Sequence, residues 1–274
     1  MLCVGDLVVY PVKSGAGIRV SSATLDPIGL VGDRRWMVVD PDHRFLSQRE
    51  IPRLALLRAE LTDDGIRLHA PGVEACDVAT PPLDHARVSV TVWDDTFDAL
   101  PVQDGADMWA SHFLGVQSRL IYCPPDVQRP VDPEYALNQE RVSFADGFPL
   151  LVAGQASLDD VNRRLEAKGV APVPMNRFRP NLVIAGSEPF AEDTWRRIRI
   201  GRGAAAVDID MVKPCARCST VPVDQSTGIR GKEPLTTLAS YRQRNGKVYF
   251  GQNAIHTASG VLRVGDPVEI VAPQ

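Results

Sequence analysis

Lys213-Pro-Cys-Ala-Arg-Cys-Ser-Thr-Val-Pro-Val-Asp224, followed by Gln225-Ser-Thr-Gly228 and Gly231-Lys-Glu-Pro-Leu235, is the stretch on which the reading of this chain turns. Two cysteines three apart flank an arginine and follow an apolar-alternating run, Ala205 to Val212. Pro214 and Pro222 bracket them. Proline removes a backbone donor and fixes φ, so the pattern predicts both thiols in a rigid loop at the end of a strand.

Three chemistries suit Cys215 and Cys218. A structural zinc corner needs four ligands and ordinarily a second pair at motif spacing. Cys3, Cys76 and Cys123 are scattered singly, and the five histidines form no HxH or HxxxH pair. A thioredoxin-like dithiol needs CxxC to open a helix, whereas Thr220-Val-Pro-Val223 blocks one. The third is a thiolate ligand to a cofactor metal, with Arg217 beside it favouring the charged, ligating form.

At 274 residues the chain allows one large domain or two modest ones, and 44% hydrophobic content suffices for a full core. The net charge of −4, with no basic run longer than Arg-Arg, gives no nucleic-acid footprint. Five cysteines, an odd number, suit a reducing compartment. The start, Met1-Leu-Cys-Val-Gly-Asp6, has no cationic region and no long apolar run, and no window of about 18 apolar residues follows. The expectation is a cytoplasmic protein with no membrane partner.

Residues 1–12 alternate and read as a strand. Lys13-Ser-Gly-Ala-Gly17 is either a plain glycine turn or an anion site built from a Lys charge, a hydroxyl and loop amides. Gly32-Asp-Arg-Arg-Trp36 leads into a strand at 37–40, where Arg34 is either a solvated charge or a bidentate donor. Short alternating segments at 54–61, 66–69, 88–92 and 97–102 predict a barrel-like all-β unit, with Trp93 as a packing residue. Helices are expected over 104–114, with a structural His112, over 157–168 with a Ser157 cap, and over 235–241. The proline-rich stretch 124–141 predicts a crossing loop, with a domain boundary near 120–125. Phe144-Ala-Asp-Gly-Phe-Pro149 feeds a buried strand at 150–153, and Arg177-Phe-Arg-Pro-Asn181 opens another. A closing strand pair is expected over 261–271.

Taken together, Pro11-Val-Lys-Ser14, Asp33-Arg34 with Trp36, Phe144 to Pro149, Phe178-Arg-Pro-Asn181, the cysteine stretch and Phe250-Gly-Gln252 resemble the MOSC-domain molybdenum cofactor proteins. The amidoxime-reducing component branch is the closest in pattern. The resemblance implies an α+β, β-rich fold. An N-terminal MOSC-type β-barrel domain would span 1–122, and a MOSC β-barrel domain with peripheral helices would span 123–274. It implies the molybdenum cofactor (Mo-molybdopterin), with Cys218 as metal ligand and catalytic residue and Cys215 without a ligand role. Lys13, Ser14, Arg34, Asp146, Gly147, Phe148, Arg179, Asn181, Arg217 and Asn253 would contact the cofactor, Gly147 and Phe148 through backbone only. The implied activity is a reductase that removes oxygen from N-hydroxylated small molecules (amidoximes, hydroxylamines, N-hydroxylated bases). Electrons would come from a separate flavin, haem or iron–sulfur protein. The alternative is a sulfur carrier or a cofactor-binding protein without turnover.

Overall fold

A computed structural model describes residues 1–102, 104–136 and 138–273. Strands dominate, and three α-helices are present among the described residues. The largest sheet has nine strands. Its path runs Val268–Pro273, Trp195–Ile200, Val207–Arg217, Lys247–His256, Leu150–Gly154, Leu182–Ala185, Cys3–Val9, Ile18–Arg19, with Gln243–Arg244 paired onto Lys247–His256. Leu150–Gly154 and Leu182–Ala185 run parallel, joined by a crossover containing the helix Gln155–Glu166. All five residues of Leu150–Gly154 are buried, the continuous apolar pattern expected of a strand covered on both faces. The helix lays Leu158, Val161 and Leu165 against Phe178, Val183 and Leu238. Among the described residues no helix is long and apolar enough to cross a membrane.

The sheets ignore the order of the chain. Cys3–Val9 pairs with Leu182–Ala185, and Ser22–Asp26 pairs with Gly260–Arg263. Val4, Leu7, Leu25 and Leu30 share one core with Leu150, Ile184, Ile198 and Ile209. Gly29–Leu30 pairs with Ser22–Asp26, and the remaining N-terminal strands form a four-stranded sheet (Trp36–Val39, Arg119–Tyr122, Asp95–Pro101, Val88–Val92) and a three-stranded one (Arg58–Leu61, Gly65–Ala70, Val73–Ala79). Their hydrogen-bonded paths are open, so the unit is barrel-like without closing.

Three local expectations change. The 54–61 run does not form one strand: Pro52–Leu56 is a 3-10 turn with proline at its start, and the strand begins at Arg58. The helix expected to be capped by Ser157 begins at Gln155 after Gly154. Ser157 Oγ instead donates to the buried Glu192 carboxylate at 2.8 Å and accepts the Phe190 N–H at 2.7 Å. Burial pushes the Glu192 carboxyl up, and the Gly154 N–H and Ser157 hydroxyl oppose that shift.

The cysteine stretch is the third. The strand does not stop near Val212 but runs to Arg217, so Cys215 lies within it and Cys218 just beyond its end. Pro214 is tolerated because the pairing with Lys247–His256 slips between Met211 and Lys213 and again between Pro214 and Ala216. Such bulges are where a strand can hold a residue with no N–H to give. The partner strand bends with it at Gly251, whose φ of +74° would strain any side chain and whose added Cβ would lie 2.7 Å from the Val152 carbonyl oxygen.

Candidate cofactor cleft

The loops that leave these strand ends enclose a cleft of about 650 Å³. Lys13 and Ser14, Arg34, Asp146 to Phe148, Arg179, Asn181, Arg217, Cys218 and Asn253 all line it. Contributions from both halves of the chain meet there because the first strand is stitched into the second half's sheet.

The lining is cationic. Lys13, Arg34, Arg49, Arg179, Lys213, Arg217, Arg244 and Lys247 face a single carboxylate, Asp146. Outside the cleft, arginines pair with carboxylates, as in Arg197–Asp210 and Arg199–Asp208. Inside it, among the described residues, only Lys13 (to Asp146) and Arg34 (to Asp33) form ion pairs. Several of the other cations rest on aromatic rings. Arg34 and Arg179 both sit over Tyr10, 4.6 and 4.3 Å from its centroid. Arg49 lies 4.3 Å over Trp93, and Lys213 lies 4.2 Å over Tyr135. A ring holds a guanidinium or ammonium without cancelling its charge, so the cations stay available to an anion.

Arg34 and Arg179 are the centre of this arrangement. Arg34 donates to Asp33, to Asn181 Oδ1 at 3.0 Å and to the Arg179 carbonyl at 3.3 Å. Burial opposes its charge, but Asp33 outweighs burial and raises it. Arg179 donates to the Gly15 carbonyl. Burial pushes it down to about 10, and Arg34 pushes in the same direction. Two guanidiniums packed against one ring repel each other, and an anion between them relieves that repulsion. Asn181 is spent on scaffold: it is 1% exposed, accepts from Arg34 and the Leu151 N–H, and donates to the Val8 carbonyl.

Ser14, Arg34, Trp93, Arg179 and Asn245 of the lining have left-handed φ between 49 and 65°. Such conformations cost about 1–3 kcal/mol each and persist where surroundings over-determine them.

Asp146 accepts from Lys13 Nζ at 2.6 Å and from Trp93 Nε1 at 3.2 Å, both on Oδ1. The surrounding walls raise its carboxyl, but Lys13 and the indole N–H outweigh them and hold it well below the usual carboxylate range. Burial lowers the Lys13 ammonium to about 8, against the opposing pull of Asp146.

The two thiols differ. Arg217 Nη1 donates to Cys215 Sγ at 2.8 Å, and its Nη2 to the Phe178 carbonyl at 2.7 Å. The strand alternation gives Arg217's direct hydrogen bond to Cys215, while its charge still eases the ionisation of Cys218. Burial nevertheless raises the Cys215 thiol. Cys218 Sγ lies 3.1 Å from Thr220 Oγ1. Burial raises it too, but the Thr220 side-chain and backbone bonds, with Arg49 and Arg217 nearby, bring it below its usual value. Among the described residues no three His, Cys, Asp or Glu side chains are grouped to hold a metal ion. A four-ligand zinc corner at Cys215 and Cys218 therefore lacks its partners among the described residues.

The profile of the MOSC N-terminal beta barrel domain matches residues 1–117, and that of the MOSC domain matches 139–269. Mitochondrial amidoxime-reducing component 1 of mouse is 34% identical over 286 residues, spanning 98% of this chain and 82% of that protein. The human protein of the same name is also 34% identical, with 98% and 82% coverage. Molybdenum cofactor sulfurase of rice is 30% identical over 90% of this chain and 31% of that protein. The chain belongs to the amidoxime-reducing component family of MOSC proteins.

Three residues of this family member escape a local reading. Arg49 lines the cleft and carries charge toward Cys218. Trp93, read as a packing residue, lines it too and binds Asp146. Arg129 had no signal in the proline-rich stretch. It is 1% exposed, pairs with Asp95 at 2.9 Å, and donates to the carbonyls of Ser143, Ala145 and Asp146. It thereby fixes the backbone that presents Asp146. Arg129→Met leaves buried carbonyls without donors, at a cost of about 3 kcal/mol, discounted for the half-exposed Asp95. Thermal unfolding should shift down by about 6–12 °C. A shift of under about 2 °C would show that the loop does not depend on it.

Proposed function

We propose that this protein is a molybdenum-cofactor-dependent reductase that removes oxygen from N-hydroxylated compounds, with electrons from a separate redox protein. The observation that carries the reading is the donor set: a carboxylate-poor, cation-rich cleft lined by a thiol whose ionisation its hydrogen bonds and neighbouring cations ease. The relatives named for amidoxime reduction support the substrate class. The residues fit the cofactor. A phosphate-bearing, dithiolene-bearing group needs fixed N–H donors along its anionic edge and a soft ligand at its metal. Lys13, Ser14, Arg34 and Arg179 would supply the first and Cys218 the second. When bound, the cofactor supplies two-electron oxygen-atom-transfer chemistry.

The chain's own residues do the rest. Tyr10 keeps two guanidiniums side by side, and Asn181 braces Arg34 against the strand ends. Asp33 keeps Arg34 charged. The reciprocal amide pair Gln48–Gln225, at 2.9 and 3.1 Å, ties the Arg49 turn to the loop after Cys218. Arg230 donates to the Gln48 and Arg49 carbonyls from the same loop.

Purification from a host that makes the cofactor should give about one molybdenum per chain and turnover of an N-hydroxylated amidine with a chemical reductant. Stoichiometric zinc without molybdenum would overturn this. Molybdenum without turnover by any reductant would favour the sulfur-carrier or cofactor-binding alternative. Lys13 gives a pH test in the cofactor-free protein. It is charged below about 8 and loses its charge above. Sulfate affinity, measured by calorimetry, should therefore fall as pH rises through that range. Lys13→Met should bind more weakly and without that pH step; an unchanged step would remove Lys13 from the anion site.

A further inference from the structure

Thr220 is the residue that holds the Cys218 sulfur. It is half-buried, lines the cleft, and brings Oγ1 to 3.1 Å from Cys218 Sγ. Its backbone N–H bonds to the same cysteine. The turn that carries these two donors is pinned on both sides. The Val221 N–H donates to the Cys218 carbonyl at 3.2 Å, and the Val223 N–H to the Thr220 carbonyl at 3.0 Å. Val221 and Val223 are both fully buried, with Pro222 fixing φ between them. The β-branched side chain adds its own stiffness at χ1.

Which atom donates follows from the role of the sulfur. A thiol and a hydroxyl can each donate to the other. A thiolate that ligates a metal has no proton left, so Thr220 gives and Cys218 accepts. Among the described residues Oγ1 has no other partner to compete for that proton. Cys218 then takes two hydrogen bonds from one residue. The backbone bond survives any substitution at 220 that keeps the turn, whereas the hydroxyl bond does not. Cys215 takes its donor from Arg217, so the two sulfurs do not share this hydroxyl.

We infer that Thr220 is a positioning residue whose hydroxyl donates to the Cys218 thiolate and raises the reduction potential of the metal bound there. A hydrogen bond to a ligating sulfur draws electron density away from the metal and favours its reduced form. The inference rests on the molybdenum reductase reading and adds a control on its electron supply. A higher potential eases uptake of the two electrons that, with two protons, convert N–OH into N–H and water.

The test is a redox titration of the molybdenum-loaded protein, followed spectroscopically, in wild type, Thr220→Val and Thr220→Ser. Valine keeps the branched shape and the backbone bond and removes the donor; serine keeps the donor. At a fixed potential Thr220→Val should lower the ratio of reduced to oxidised metal by about tenfold, a fall of about 30 mV in a two-electron midpoint. Thr220→Ser should stay within about twofold of wild type. Molybdenum content and melting temperature should stay close to wild type in both. An unshifted midpoint in Thr220→Val would overturn the inference. So would an equal shift in Thr220→Ser, which would trace the effect to packing. Loss of molybdenum from Thr220→Val alone would also overturn it, by making the hydroxyl a means of retaining the cofactor. A shifted midpoint in a protein that reduces no N-hydroxylated compound would leave the hydrogen bond standing and remove the reductase reading. Turnover with an unshifted midpoint would do the reverse, and a chain that takes up no molybdenum would remove both.

Discussion

Cys218→Ser is expected to abolish turnover, a loss of more than about a hundredfold, while Cys215→Ser retains most of it. A neutral hydroxyl is a poor replacement for a thiolate at a soft metal. The structure separates the two thiols by more than sequence position. Cys218 lies past the strand end in the cleft, next to Thr220, and its local hydrogen bonds favour the thiolate. Cys215 lies inside the strand at a bulge, holds the Arg217 guanidinium, and burial raises its thiol. Its replacement should disturb Arg217 and, through it, the Phe178 carbonyl, without removing a ligand. Turnover and molybdenum per chain, measured together on both variants, decide the matter. Equal losses, or the reverse order, would sink the ligand assignment.

Arg179→Ala is expected to lower molybdenum content at purification by about tenfold or more, the scale of one lost charge-assisted hydrogen bond. Arg179 is held by the Gly15 carbonyl and the Tyr10 ring and has no carboxylate partner among the described residues. Its removal therefore takes a charge out of the cleft and leaves no buried acid behind, which separates occupancy from stability. Arg34→Ala is a less clean experiment, because it strands Asp33, which is 2% exposed and also accepts the Tyr10 N–H. Full molybdenum content in Arg179→Ala, by mass spectrometry, would end the anchoring role.

Much of the cleft was legible because its residues sit in short, chemically unusual tracts. Lys13-Ser14, Asp33-Arg34, Phe178 to Asn181 and the cysteine stretch each place charge or sulfur at the mouth of an apolar strand, where buried polar groups must be satisfied. Those tracts meet in one cleft. What was missed was missed for identifiable reasons. Ser157 looked like a helix cap because Ser before an apolar period normally is one; the buried Glu192, far along the chain, claimed its hydroxyl. The cysteine strand looked finished at Val212 because proline ends ladders; two bulges opposite Lys247–His256 let it continue.

The sequence by itself determined the family, the β-rich composition of elements and the residue types available for an anion and a soft metal. It did so because proline, glycine, cysteine and paired cations impose local conformations and chemistries that survive without knowledge of their neighbours. Only the tertiary structure decided which partner each group takes. Cys3–Val9 joins the sheet of the second half, Arg217 turns to Cys215, Arg129 gathers the carbonyls beneath Asp146, and Trp93 bends into the cleft. These contacts link residues far apart in sequence, and their energy comes from burial and hydrogen bonds that exist only once the sheets have crossed. No local pattern encodes the other end of such a contact.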